Sequence, residues 1–328
     1  MIGHTWAVER LAGDLARGCA RHAYLITGPA GIGKHTLASA FAQAALCAEE
    51  NPPCGDCRIC KLITDSKHPD VSLVTPVLSG RIIKKAKITI APIRALIRDF
   101  TLRPVEASRR VALCTDFEAA TPAASNALLK TLEEPPGKGI IILTANNEEA
   151  LLPTIVSRCE RLVLRPLSRV KVQQVLKNHW GAEEDQAALL ASISNGRLGW
   201  AVRLLEDSAT LERRSAHLES LHQMLPAARI SRFDFAHSLA QDREALLEAL
   251  EVWQGWWRDV YLVGAGTAAG MMNINYEKTI RRVAEKVSPA EAAHAIRSIT
   301  HTLEQLQKNA NPRLVVEVLL LKLPFVTL

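Results

Sequence analysis

A glycine-rich segment that ends in a lysine is the first feature of this sequence with a chemical meaning. Gly28, Gly31, Gly33 and Lys34 belong to the run GPAGIGK, which contains the G-x-x-x-x-G-K core of a phosphate-binding loop, or P-loop. Glycines let backbone N–H groups curl around a phosphate, the lysine adds positive charge, and a helix starting here adds its dipole. The segment therefore predicts an ATP phosphate site, and a ligand-free strand-to-helix turn is the alternative.

The magnesium ligands of such a site are not in their usual places. A P-loop has Ser or Thr directly after the lysine, but this chain has His35 there and Thr36 one place later. One helical residue rotates a side chain by about 100 degrees, so Thr36 need not replace the missing hydroxyl. Imidazole is also a poor ligand for a hard cation such as Mg²⁺.

The acidic motif of an ATPase is altered as well. A working enzyme of this kind places Asp and then Glu at the end of an apolar strand, whereas here VALC is followed by Thr115 and Asp116. Two independent changes in the magnesium apparatus predict that this chain does not hydrolyse ATP. The sequence leaves open whether ATP or Mg²⁺ still binds at Gly28, Gly31, Gly33, Lys34, Thr36 and Asp116.

Four cysteines in the spacing C-x6-C-x2-C-x2-C form a second candidate site. They are Cys47, Cys54, Cys57 and Cys60. Closely spaced thiolates can converge on one ion, and four of them suit tetrahedral zinc with a structural role. An iron–sulfur cluster and unliganded reduced thiols are the alternatives.

Alternating strands and helices must position these groups. Short apolar runs predict strands, and the stretches between them have helical periodicity. This order predicts a parallel sheet with helices on both faces. The predicted strands are 23–27, 71–74, 110–114, 139–144 and 161–164, and the predicted helices are 36–47, 93–102 and 123–132.

The second half of the chain shows only helical periodicity. We predict three domains: a P-loop α/β domain with the cysteine cluster over 1–166, a small helical lid over 167–207, and an all-helical oligomerisation domain over 208–328. Trp253, Trp256, Trp257 and Val260 recur at helical spacing, which favours core packing over stacking on nucleic-acid bases.

Composition argues against a disordered protein, a membrane-spanning protein and a secreted protein. Of the 328 residues 48% are apolar and 23% charged, which is typical of packed domains. The net charge of +6 permits a polyanionic partner without requiring one. No apolar run is long enough for a membrane helix, and no signal peptide is recognisable, so we expect a cytoplasmic protein without membrane partners. The basic run Lys84, Lys85 and Lys87 favours a solvated loop over a DNA contact.

Several motifs in order resemble bacterial clamp-loader subunits, which are proteins of the AAA+ class. The resemblance rests on SNALLKTLEEPP at 125–136, SRC at 157–159, HAYL before the P-loop and NPRL at 311–314. It covers most of residues 1–205 and is weaker beyond. It implies an AAA+ module followed by a lid and a helical collar, and a structural zinc at the cysteine cluster.

The resemblance also implies a function. In that family five subunits form a ring that binds a sliding clamp, ATP and primer–template DNA, and the gamma or tau subunits are its motors. Thr115 stands where the motors have a metal-binding Asp, and Gly199 where they have the arginine of their sensor-2 segment. With these departures the chain resembles the delta-prime type of subunit. That type acts as a scaffold beside the motors and the delta subunit. Asn146 aligns with the motors' sensor-1 residue, and a plain turn at the end of a strand is the alternative.

Arg158 of the SRC motif is the catalytic residue that the resemblance implies. An arginine there reaches in trans into the neighbouring subunit's ATP site and neutralises charge on the transferring phosphoryl group. Such an arginine finger is worth roughly 10³ to 10⁵ in rate, or about 4–7 kcal/mol. A surface arginine in an ordinary salt bridge is the alternative. For the whole chain, the rival functions are an ATP-hydrolysing motor subunit of the same complex and an unrelated P-loop NTPase.

Overall fold

A computed structural model describes residues 1–77, 86–267 and 270–327. The chain separates into two compact units, Met1–Leu167 and Ser168–Leu328. Lys84 and Lys85 of the basic run lie outside the described residues, whereas Lys87 is exposed and its backbone pairs with that of Val77.

The first unit is built on a five-stranded sheet in the order β2-β3-β4-β1-β5. All neighbouring strands are parallel, and every residue of β1, β3 and β4 is buried. The predicted parallel sheet is confirmed, because the continuous apolar runs are those of strands covered on both faces. The strands are β1 (Ala23–Thr27), β2 (Val71–Val74), β3 (Val111–Cys114), β4 (Ile140–Ala145) and β5 (Glu160–Val163).

Helices cover both faces of this sheet. Side chains alternate along β1, so Leu25 packs with Leu96 and Leu128 on one face, while Tyr24 and Ile26 belong to the cluster on the other. The helices are α1 (Thr5–Ala16), α2 (Lys34–Leu46), α3 (Arg58–Thr64), α4 (Ile90–Thr101), α5 (Pro122–Glu133) and α6 (Pro153–Val156). The start of α5 follows from Thr121, which caps it, and from Pro122, whose fixed backbone angle suits a first turn.

The second unit is helical throughout its described residues. Trp253, Trp256 and Trp257 are fully buried in its hydrophobic core, which confirms that this tryptophan stripe serves packing. The division into a lid and a collar at residue 207 stays a prediction. Among the described residues no helix is long and apolar enough to cross a membrane. The helices are α7 (Arg169–Trp180), α8 (Glu184–Ser194), α9 (Leu198–Glu206), α10 (Ser208–Met224), α11 (Arg229–Leu239), α12 (Arg243–Gly264), α13 (Glu277–Ala284), α14 (Pro289–Gln307) and α15 (Pro312–Lys322).

Candidate phosphate and metal sites

The P-loop connects the central strand β1 to helix α2 and takes a backbone path that requires glycine. Gly28, Gly31 and Gly33 have φ angles of 147°, 77° and 105°. A Cβ atom on Gly28 would lie 2.6 Å from the carbonyl oxygen of Leu164, so no other residue fits there. The sequence prediction of a strand, a glycine loop and a helix in this order is confirmed.

Lys34 is held inside this loop. Its Nζ donates hydrogen bonds to the carbonyl oxygen of Gly28 at 2.7 Å and to Oδ1 of Asn146 at 2.8 Å, and its side chain is buried. Burial lowers the pKa of Lys34, while the carboxylates of Asp116 and Glu118 oppose that shift. The ammonium group therefore lies where a phosphate on the loop would meet it, and protein oxygens surround it.

Asn146 links Lys34 to Glu118. Its backbone N–H and its Nδ2 both donate to Oε1 of Glu118, at 3.1 and 2.5 Å. The two residues come together because each follows the carboxyl end of a strand, and β3 and β4 are neighbours. Sequence reasoning missed the role of Glu118, although its place just after β3 was a usable signal.

The residues at the positions where magnesium ligands are expected are not suited to binding the ion. His35 and Thr36 are exposed at the start of α2, and Thr115 is buried at the end of β3. Asp116 is exposed with a φ of 47°, and its backbone N–H donates to Oγ1 of Thr144 at 3.1 Å. A hydroxyl directly after Lys34 and a carboxylate at position 115 are the two ligands that this arrangement does not supply.

Arg158 lies just after the short helix α6 and is tied to the end of α5. Its Nη1 donates to the carbonyl oxygen of Thr154 at 2.9 Å, and its Nη2 bonds the carboxylate of Glu133. The side chains of Arg158 and Glu133 are 33% and 48% exposed. A pair this exposed is worth about 0–1 kcal/mol, so the guanidinium can exchange Glu133 for another anion at little cost. Sequence reasoning missed Glu133 as its partner.

The four cysteines of the cluster converge on one point. All four Sγ atoms lie within 4.8 Å of one another, and three of the pairs are separated by 3.7, 4.0 and 4.0 Å. A tetrahedral zinc with Zn–S bonds of about 2.3 Å places sulfur atoms about 3.8 Å apart, so the cluster fits zinc without rearrangement. The predicted ligands Cys47, Cys54, Cys57 and Cys60 are thus brought together.

Local structure explains this convergence. Cys47 ends α2, and Cys57 caps the start of α3. The backbone N–H groups of Cys57 and Cys60 donate to the sulfur atoms of Cys54 and Cys57, at 3.3 and 3.4 Å. Backbone N–H donors at Cys57 and Asp56 lower the pKa of the Cys54 thiol, whereas burial raises that of Cys60. Donors directed at sulfur stabilise a thiolate, which is the form that binds zinc.

Comparison with known proteins places the chain in a family. A model described as "DNA polymerase III, delta subunit" matches residues 3–168, and one described as "DNA polymerase III, delta subunit, C terminal" matches residues 208–324. The chain is also 30% identical to "DNA polymerase III subunit delta'" of Yersinia pestis, over 75% of each chain. The chain belongs to the DNA polymerase III delta-prime family.

Similarity to delta-prime subunits extends along almost the whole chain. The delta-prime subunit of Bacillus subtilis (strain 168) is 29% identical over 92% of this chain and 90% of its own length. "DNA polymerase III subunit tau" of the same organism is 26% identical over 98% of this chain, but over only 60% of its own length.

Proposed function

We propose that this chain is a delta-prime subunit of a bacterial clamp loader within the DNA polymerase III holoenzyme. It serves as scaffold and supplies Arg158 in trans to a neighbouring ATPase site, and it does not hydrolyse ATP itself. The observation that carries the proposal is the combination of family membership with a P-loop that keeps its glycines and lysine but lacks both magnesium ligands, at His35 and Thr115.

The geometry around Lys34 supports a silent site. Hydrolysis needs Mg²⁺ between the β- and γ-phosphates and a carboxylate that orients the attacking water. Here Glu118 is engaged with Asn146, and the carboxylate of Asp116 lies on an exposed turn one residue later than in a motor subunit. Without the metal, the negative charge that develops in the transition state is not neutralised, and the reaction stays slow.

The surroundings of Arg158 support a role in a partner's site. The guanidinium is one-third exposed and bound to a carboxylate that is itself half-exposed. A phosphoryl group at a subunit boundary can therefore replace Glu133 as its partner. A planar guanidinium can then donate two parallel hydrogen bonds to phosphate oxygens, as arginine fingers do.

The cysteine cluster supports a structural zinc. Four sulfur ligands complete a tetrahedron and leave no open position for a substrate or water. The ion would fix the segment between α2 and α3, which Gln43 already ties together through bonds to the Cys60 carbonyl at 3.1 Å and Thr64 Oγ1 at 2.8 Å. The zinc therefore contributes shape and stability to the first unit rather than chemistry.

The proposed partners are a delta subunit and gamma or tau motor subunits in a five-membered ring, together with the sliding clamp and primer–template DNA. The test is reconstitution of the loader from its host's subunits with this chain included or omitted, followed by clamp loading on primed circular DNA. The proposal predicts that loading requires the chain. Loading that proceeds equally well without the chain would contradict the proposal.

A further inference from the structure

A cavity lies at the edge of the sheet opposite the P-loop. It is formed by the Leu102–Arg110 segment before β3 and the Pro136–Gly139 turn before β4. The P-loop follows the carboxyl end of β1. Because the strands are parallel, the amino ends of β3 and β4 lie at the opposite end of the sheet from this loop. The cavity volume is about 250 Å³, and the cavity is open to solvent.

Every ionisable side chain that lines this cavity is a cation. They are Arg103, Arg109, Arg110 and Lys138, and we call the cavity the basic pocket. Within the described part of the chain, the side chains of Arg103, Arg109 and Lys138 have no hydrogen-bond or salt-bridge partner, and Nε of Arg109 is shielded from solvent without an acceptor. A shielded cationic N–H without an acceptor costs free energy, which a bound anion would recover.

The walls of the basic pocket are fixed in place. Arg110 is buried and donates to the carbonyl oxygens of Leu102 at 3.1 Å and Arg103 at 3.0 Å. Asp70 accepts hydrogen bonds from the backbone N–H groups that follow in the same segment. Gly139 sits so close to Phe100 that a Cβ atom there would lie 2.6 Å from its ring. A charged site with rigid walls pays little ordering cost when an anion binds.

The nearest acidic side chain on the segment is already engaged. Glu106 pairs with Arg58 at 2.5 Å and lies 3.5 Å from His68. The carboxylate of Asp70 is fully buried and directed at backbone N–H groups. Asp70 lies 3.7 Å from Arg110 and compensates that cation, but no ion pair within the described residues compensates Arg103, Arg109 and Lys138.

We propose that the basic pocket binds phosphate groups, either of free phosphate compounds or of a nucleic-acid strand. Two guanidinium groups, an ammonium group and the Ser108 hydroxyl offer more donors than the two oxygens of one carboxylate can accept, whereas a phosphate suits them. This inference does not rest on the proposed function, because it concerns a separate edge of the sheet and the isolated chain can test it.

The test uses the full-length chain and three probes at about 50 mM salt. Pyrophosphate binding is measured by calorimetry. Binding of a labelled oligothymidylate of about twenty nucleotides and of a labelled peptide of Asp and Glu is measured by fluorescence anisotropy. The pocket variant is Arg103→Gln/Arg109→Gln/Lys138→Gln. The matched control, Arg21→Gln/Arg94→Gln/Lys61→Gln, removes the same charges from exposed positions elsewhere in the unit.

The proposal predicts that the pocket variant loses at least about tenfold in affinity for a phosphate probe, while the control variant loses less. Loss with pyrophosphate alone identifies free phosphate compounds as the ligand. Loss of affinity for the oligonucleotide identifies a nucleic-acid strand as the ligand. Removing three cations should then also reduce the slope of log affinity against log salt concentration by about 2. Lys138→Gln alone, on an exposed turn, gives a smaller loss in the same direction without a risk to folding.

Three results would overturn the proposal. The first is equal affinity of the pocket and control variants for both phosphate probes. The second is pocket-dependent binding of the acidic peptide alone, which would make this a protein-docking site. The third is phosphate binding that Lys34→Ala abolishes and the pocket variant leaves unchanged, which would place the ligand on the P-loop.

Discussion

Asp70 is the residue whose replacement has the most clearly determined effect on stability. Its side chain is fully buried, and it accepts hydrogen bonds from the N–H groups of Val105 at 2.7 Å, Glu106 at 2.9 Å and Ala107 at 2.9 Å. The guanidinium of Arg110 lies 3.7 Å away. One carboxylate therefore fixes the segment between α4 and β3.

Asp70→Asn keeps the shape of this side chain but removes its charge. The amide group presents a donor where backbone donors already point, and it leaves Arg110 without a counter-charge. Breaking a buried ion pair costs about 3–5 kcal/mol. We expect a loss of that size in the free energy of unfolding of the first unit. Amide hydrogen exchange at Val105–Ala107 should also become faster.

The pH dependence has a definite sign. Burial alone would raise the pKa of Asp70, but the three backbone N–H groups and Arg110 outweigh it and lower the pKa below its ordinary value. A lowered folded-state pKa stabilises the fold above the unfolded-state pKa of about 3.9, and that contribution is lost as pH falls through the folded-state value. The advantage of wild type over Asp70→Asn should be constant near neutral pH and shrink only below about pH 4.

Urea denaturation followed by circular dichroism, repeated from neutral to acidic pH, measures both effects. Asp65→Asn is the control, because Asp65 is exposed and should change stability by no more than about 0.5 kcal/mol. A loss below about 1 kcal/mol for Asp70→Asn, or an advantage that disappears well above the unfolded-state pKa, would refute this account of the segment.

Three further predictions concern the candidate sites. Elemental analysis should find one zinc per chain, and Cys60→Ser or a strong chelator should remove it and lower the melting temperature; an unchanged melting temperature would exclude a structural zinc. Glu133→Gln should alter stability by at most about 1 kcal/mol and leave the ATPase rate of the reconstituted loader close to that of wild type, because a phosphoryl group replaces this carboxylate as the partner of Arg158; a fall as large as that of Arg158→Ala would show that Arg158 cannot act without Glu133. Lys34→Met should leave the loader's ATPase rate unchanged, and a large fall would show that this P-loop hydrolyses ATP.

Much of the fold could be predicted because it depends on local patterns. The runs that form β1, β3 and β4 are apolar throughout, and such runs are typical of strands buried on both faces. The cysteine cluster could be recognised because its ligands fall within fourteen consecutive residues, Cys47 to Cys60, so the chain itself keeps them close. Helical spacing likewise predicted that Trp253, Trp256 and Trp257 serve packing.

The contacts that were missed join residues far apart in the sequence. Lys34 bonds Asn146, which is 112 residues away, and Asp70 bonds N–H groups 35 to 37 residues away. Periodicity shows which face of an element is buried, but it carries no information about which polar group lies opposite. The pairing of Arg158 with Glu133 depends on how α5 and α6 pack, and the motifs that contain them do not reveal it.

The boundary between lid and collar also remains a prediction for a physical reason. Helix α9 ends at Glu206 and α10 begins at Ser208, so Asp207 alone separates them, and its side chain accepts a hydrogen bond from the N–H of Ala209 at 3.1 Å. A single residue that caps the next helix does not form a flexible linker. Composition could therefore suggest the boundary but not establish it.

The most direct test of the central claim is the steady-state ATPase rate with clamp and primed DNA present, for the chain alone and within the reconstituted loader. The variants are Arg158→Ala, Arg158→Lys and the control Arg161→Ala, which removes an exposed arginine from β5. We predict that the chain alone has no ATPase activity. In the loader, Arg158→Ala should lower the ATPase rate strongly, up to the roughly 10³-fold scale of an arginine finger. Arg161→Ala should leave that rate unchanged. Robust hydrolysis by the chain alone that Lys34→Ala abolishes would contradict the account and make this chain a motor.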